Sequence, residues 1–193
     1  MIHENKFYIT AVGLSAGGIE PLYSFFAEIP PDSGISFIII LHLSRDYMSF
    51  ADQLLAQHTT MPVCWAMEGQ EVKPNSIYII PVNNMMTIIN GHLHLQKRQV
   101  EDKSNWAVNI FFKSLAKAQK AYAIGIILSG AGSDGTLGAI AIHNEEGTVM
   151  VQDPQTAKFT GMPQSAILYA HPNQILSPKR LAQALLTFVN ELT

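Results

Sequence analysis

Cysteine is nearly absent: Cys64 is the one thiol in 193 residues. It cannot close an internal disulfide, and its neighbours Val63 and Trp65 point to a core strand instead of a reactive thiol. A reducing compartment is therefore expected. Charge is scarce as well, at 14% of the chain with a formal net charge of -3, and no run of Lys and Arg occurs. The electrostatic footprint of a nucleic-acid or anionic-membrane binder is missing, so neither partner is expected. Long apolar runs are lacking too. The longest purely aliphatic stretch, Ile38 to Leu41, falls far short of the roughly 18 residues of a membrane span. Met1 to Lys6 carries no signal-peptide pattern. The expectation is a cytoplasmic protein with no membrane insertion. Internal repeats, low-complexity tracts and linkers are also missing, which predicts one domain over residues 1–193. What the chain does have is 48% hydrophobic residues, and a chain of this length buries roughly 70% of its unfolded surface.

Short β-rich runs alternate with helical patterns, which predicts parallel βαβ units covered by helices on both faces. Tyr8 to Val12 reads as the first strand, Gly17 and Gly18 as a turn, and Ile19 to Glu28 as a helix with Pro21 in its first turn. Phe37 to Leu41 is a continuous apolar strand, Met48 to Gln57 a helix, and Met61 to Ala66 and Ser76 to Ile80 further strands bounded by Pro or Gly. Thr87 to Ile89 and His92 to Leu95 flank Asn90-Gly91, a strong hairpin signal, so an antiparallel hairpin interrupts the parallel pattern. After a polar stretch from Gln96 to Ser104, the pattern gives a helix over Val108 to Ala121 and a strand over Ile124 to Leu128. A glycine-rich turn, a helix from Thr136 to Glu146 and a strand from Thr148 to Gln152 follow. A short helix opening near Pro163 and a last helix from Pro178 to Leu192 complete the chain.

In doubly wound sheets functional groups collect beyond the carboxyl ends of the strands. Three such ends here carry different chemistry: Ser15, His42 and Asp134. A hydroxyl is a weak nucleophile until a base takes its proton, and an imidazole base has to be held in one tautomer by an acceptor. Ser15 lies in Gly13-Leu14-Ser15-Ala16-Gly17, a G-x-S-x-G pattern in strand-turn-helix context. The alternative is a serine that only caps a helix. The order Ser, His, Asp differs from the Ser, Asp, His order of α/β-hydrolases and disfavours that family. Of the other histidines, His92 and His94 share a hairpin face, where weak metal binding competes with plain solvation. His58 and His143 are predicted on helices, His3 lies in the N-terminal tail, and His171 precedes a proline. None shares the strand-end place of His42. Asp134 has its own alternative, as a cap for the helix that follows it.

Gly130-Ala131-Gly132-Ser133-Asp134-Gly135 also imitates a dinucleotide fingerprint, with Asp153 farther on. A carboxylate at the helix start would occupy and repel the pyrophosphate position, which argues against it. Gly13 to Gly18 has the glycine spacing of a phosphate loop, but Ile19 and Glu20 stand where Lys and Ser or Thr are required.

These residues resemble the CheB protein-glutamate methylesterases over nearly the whole chain. Val12 to Gly18 is similar to that family's nucleophile turn, Leu41-His42-Leu43 to its histidine segment, and Leu128 to Gly135 to its aspartate loop. Gly161-Met162-Pro163 with Ser165-Ala166-Ile167 resembles a segment near the cleft. Asn75 to Pro81 and Asn109 to Ala116 are closest to the subgroup fused to a CheR-type methyltransferase. The resemblance implies a doubly wound, mostly parallel sheet, no cofactor, and hydrolysis of glutamyl γ-methyl esters on chemoreceptors, with deamidation of glutamine in some members. It implies Ser15 as nucleophile, His42 as base and Asp134 as orienting acid. The partners implied are a methyl-accepting chemoreceptor and a fused or separate CheR-type methyltransferase. Ala16 stands where well-known members carry threonine, and Ala131 where they carry methionine. Ser104 to Asn109 replaces a basic His-Arg-Pro-Ser-x-Asp segment, which bears on receptor recognition more than on catalysis. A dinucleotide-binding domain and a degenerate esterase fold that only docks are the rival readings.

Overall fold

The structure is a computed structural model that describes residues 7–41, 51–99 and 105–192. His3, His42, the first residues of the helix expected from Met48 and the end of the polar stretch before Ser104 lie outside the described residues.

Seven strands form one sheet: β1 (Ile9–Leu14), β2 (Ser36–Leu41), β3 (Val63–Trp65), β5 (Ser76–Ile79), β8 (Ala123–Ile127), β9 (Thr148–Gln152) and β10 (Gln174–Leu176), in the order β10-β9-β8-β1-β2-β5-β3. Every pairing in it is parallel. Side chains alternate across a pleated strand, and the core divides accordingly. Ile9, Ala11, Ile38 and Ile40 join one apolar cluster, while Val12, Leu14, Phe37 and Ile39 join the other. Helices α1 (Ile19–Phe26), α2 (Ala51–Leu55) and α6 (Pro178–Leu192) cover the second face. Helices α3 (Ala107–Gln119), α4 (Thr136–Asn144) and α5 (Gly161–Ala170) cover the first. Burial on both faces is why the strands read as near-continuous apolar runs. Phe26 and Phe37 meet edge to face at 5.1 Å beneath α1, and truncating a ring packed this way costs about 3–5 kcal/mol.

The expected hairpin is present as β6 (Asn84–Ile89) and β7 (His92–Lys97), and β4 (Gln70–Glu71) adds to β7 to make a second, antiparallel sheet. Asn90 and Gly91 both adopt positive φ, 50° and 76°, as a type I′ turn requires. Two expectations need correction. Cys64 lies on β3, but β3 is an edge strand and all three of its residues are only half-buried. His58 lies beyond the end of α2, exposed, with its ring stacked on Tyr23 at 4.1 Å.

The chain runs from β1 to β2, skips to β3 at the sheet edge and comes back to β5 between them, then returns to β8 beside β1 and continues outward the other way. The strand order therefore reverses between β1 and β8. At such a switch point the connections leave in opposite directions and open a crevice beyond the carboxyl ends. The segments after Leu14 and Ile127 are those that carry Ser15 and Asp134.

Candidate active site

β1 ends in a tight turn. The Ser15 amide donates to the Ser129 carbonyl at 3.0 Å, and the Gly18 amide closes back on the Ser15 carbonyl at 3.1 Å. Gly17 sits at φ 69°, and a Cβ there would lie 2.8 Å from Lys158 Cβ and 2.9 Å from a Phe159 ring carbon. Both backbone conformation and space therefore demand glycine. The N-cap of α1 is Gly18, with no side-chain cap bond. The Ser15 hydroxyl is thus not a helix cap; the side chain is half-buried and its hydroxyl bonds to no described residue. The amides of Ala16 and Gly17 also have no partner among the described residues.

The loop after β8 packs directly on this turn. A Cβ on Gly130 would lie 3.0 Å from Ser15 Cβ and 2.1 Å from Met162 Sδ, so the absence of a side chain at Gly130 makes room for the serine. The loop is pinned to α5 and its approach: the Gly130 amide donates to the Phe159 carbonyl at 3.0 Å, and the Met162 amide to the Gly130 carbonyl at 2.9 Å.

Asp134 is only 5% exposed. One carboxylate oxygen accepts from the Val108 amide at 2.9 Å, and the other from the Asn109 and Gly135 amides, each at 2.9 Å. It does cap a helix, but α3 and not the α4 that follows it, whose N-cap is Gly135 at φ 94°. Asn109 returns the contact, its side-chain oxygen accepting from the Gly138 amide of α4 at 2.9 Å. The first turns of α3 and α4 therefore hold each other, with Asp134 between them. The Val108 and Asn109 amides belong to the first turn of α3, where the helix dipole favours a carboxylate.

Ser15 and the Asp134 loop are thus brought together at the switch point. Leu41, the residue before His42, ends β2 in register with Leu14, the residue before Ser15. His42 itself lies outside the described residues. The hairpin histidines are engaged locally. His92 Nδ1 lies 2.9 Å from the Asn90 carbonyl, and His94 Nδ1 lies 2.9 Å from a Glu68 carboxylate oxygen. The Leu95 amide and then His94 hold Glu68 below the usual carboxylate range. No group of three potential metal ligands occurs among the described residues. Three polar residues absent from the sequence-based candidates, Asn109, Ser129 and Gln152, are buried and bonded around the site. The Ser129–Gln152 and Asn109–Gly138 bonds join residues 23 and 29 apart in the chain, so no local motif announces them.

Residues 10–185 match the sequence profile of a family described as CheB methylesterase. A protein-glutamate methylesterase/protein-glutamine glutaminase of Burkholderia pseudomallei is 28% identical over 182 residues, covering 94% of this chain and 53% of that protein. A putative enzyme of the same description from Leptospira interrogans is 28% identical over 180 residues, covering 89% of this chain and 90% of the relative. An uncharacterized 104.1 kDa protein of Rhodobacter capsulatus is 37% identical over 128 residues, 66% of this chain and 13% of that protein. The chain thus spans about half the length, or less, of several curated relatives it matches. The crystal structure of the Thermotoga maritima CheB methylesterase catalytic domain superposes with a TM-score of 0.87 at 26% identity, covering 95% of this chain and 100% of the other.

Proposed function

Because this chain belongs to the CheB methylesterase family, we propose that it hydrolyses glutamyl γ-methyl esters on a methyl-accepting chemoreceptor, with Ser15, His42 and Asp134 as nucleophile, base and orienting acid. The observation that carries this reading is the placement of the uncapped Ser15 turn against the buried Asp134 loop at the point where the strand order reverses.

His42 takes the hydroxyl proton as Ser15 Oγ forms a bond to the ester carbonyl carbon. The carbonyl oxygen becomes an oxyanion, and the amides of Ala16 and Gly17, which have no partner among the described residues, are the donors nearest in sequence to receive it. Collapse breaks the carbon–methoxy bond, and methanol leaves with the proton that His42 returns. Water then gives its proton to His42 and attacks the glutamyl-enzyme, releasing the glutamate and restoring Ser15. A glutamine side chain passes through the same acyl-enzyme with ammonia as leaving group. Asp134 orients the imidazole, its carboxylate held in place by three amides. No step needs a metal or an organic cofactor. A cavity of about 420 Å3 beside the Asp134 loop, lined by Trp106, Ser133, Leu137 and Tyr169 among others, offers apolar purchase for the receptor segment around the ester. A CheR-type methyltransferase, as the source of the ester, is the second partner in this reading.

The test is methanol release from a methylated receptor peptide, beside labelling of Ser15 by a fluorophosphonate probe. Ser15→Ala and His42→Gln should each lose turnover by several orders of magnitude, with the double variant little worse, because nucleophile and base act as one unit. Full turnover by Ser15→Ala overturns the assignment. Absent labelling with retained receptor binding points instead to a docking module.

A further inference from the structure

Ser129 follows β8, has no exposed surface, and is bonded through every polar atom it has. Its carbonyl accepts from the Ser15 amide at 3.0 Å. Its hydroxyl lies 2.9 Å from the Ala16 carbonyl and accepts from the Phe159 amide at 3.0 Å. A hydroxyl has one proton to give. The Phe159 carbonyl, also within reach at 3.2 Å, is already served by the Gly130 amide. The proton is therefore best used on Ala16. On the other side, the Ser129 amide donates to the Gln152 side-chain oxygen at 2.8 Å. The Gln152 amide nitrogen donates to the Thr156 carbonyl at 3.0 Å, and Gln152 is fully buried too.

In a trans peptide the C=O and N–H point in opposite directions. Holding the Ser15 carbonyl through Gly18 therefore fixes the direction of the Ala16 amide. Holding the Ala16 carbonyl through the Ser129 hydroxyl fixes the direction of the Gly17 amide, which points away from Ser129. The first lock is a bond within the turn, present wherever such a turn forms. The second depends on one side chain supplied from another strand. Gly17 at positive φ has few steric limits of its own, so without that bond the Ala16–Gly17 peptide is free to rotate.

We infer that Ser129 is a positioning residue of the hydrolase: its hydroxyl, braced by Gln152, locks the Ala16–Gly17 peptide so that the turn presents Ser15 and the Ala16 and Gly17 amides in one geometry. The inference rests on Ser15 being the nucleophile. A misplacement of about 1 Å in a reacting constellation costs on the order of 100-fold in rate, so a loosened turn should lower kcat and leave KM nearly unchanged.

Three variants test this by methanol release and by the rate of fluorophosphonate labelling, both at about 20 °C, with thermal midpoints measured alongside. Ser129→Ala should lower kcat and the labelling rate roughly 10- to 100-fold with KM changed less than about threefold. Ser129→Cys, nearly the same size, keeps the fold if alanine does not, but its thiol is a weak donor, so it should show a fall of the same kind. Ile124→Ala, buried near the start of β8, the strand before Ser129, should lower the midpoint at least as far and keep kcat within about threefold of wild type. Wild-type kcat and labelling in Ser129→Cys, or an equal loss in Ile124→Ala, would overturn the inference. Activity surviving in Ser15→Ala would instead overturn the reading beneath it, a result distinguishable from either.

Discussion

Replacing Asp134 by asparagine separates the structural role of this side chain from the catalytic role proposed for it. At an ordinary helix cap, Asp and Asn are nearly interchangeable. The bonds here forbid that. One oxygen faces the Val108 amide and the other faces the Asn109 and Gly135 amides. Whichever way an asparagine is turned, its NH2 group meets at least one backbone N–H, donor against donor. Losing a charge-assisted bond and leaving a buried amide unpaired costs about 1.5–3 kcal/mol, and losing the negative charge at the start of α3 adds up to about 1 kcal/mol. The total of roughly 2–4 kcal/mol should lower the thermal midpoint of a chain of 193 residues by about 5–15 °C. The rate effect is separate and larger, on the order of 1,000- to 10,000-fold, because asparagine holds the imidazole in the wrong tautomer. The assay is a circular dichroism melt, followed by methanol release at a temperature where the variant remains folded. A midpoint within about 2 °C of wild type would refute the three-amide account. A full turnover rate would remove Asp134 from the reaction while leaving its structural role intact.

Gly130→Ala should cut turnover at least about tenfold, since its Cβ would press on Ser15 Cβ at 3.0 Å and meet Met162 Sδ at 2.1 Å; wild-type kinetics would show that the two loops yield without moving the serine. NAD and NADP should not bind, because the Asp134 carboxylate already takes the Gly135, Val108 and Asn109 amides that an anion would need. Calorimetric affinity tighter than about 100 μM would contradict this and revive a dinucleotide site.

Much of the fold is legible because burial on both faces turns each parallel strand into an apolar run. Phe37 to Leu41 and Thr148 to Gln152 read plainly, and both are strands. Asn90-Gly91 marks its turn because few other dipeptides tolerate two positive φ values. The losses are short or edge elements. Gln70–Glu71 and Gln174–Leu176 are too brief for any period to show. Cys64 looks central from its apolar neighbours, yet nothing in a sequence says which strand closes the sheet. At the site, Ser15 and Asp134 stand out because glycine-rich turns at strand ends are visible locally. Asp134's bonds to α3 are not, since they join residues 25 and 26 apart. Ser129 and Gln152 escape for the same reason: a serine and a glutamine are unremarkable until the fold buries them against each other.

Activation of Ser15 by His42 is best checked by the distance between Ser15 Oγ and the His42 imidazole in a crystal structure. One ring nitrogen should lie within about 3.5 Å of Oγ, directly or after a side-chain rotation, and the other should face the Asp134 carboxylate. A separation of more than about 8 Å that no rotation closes would contradict it, and Ser15 would need another base.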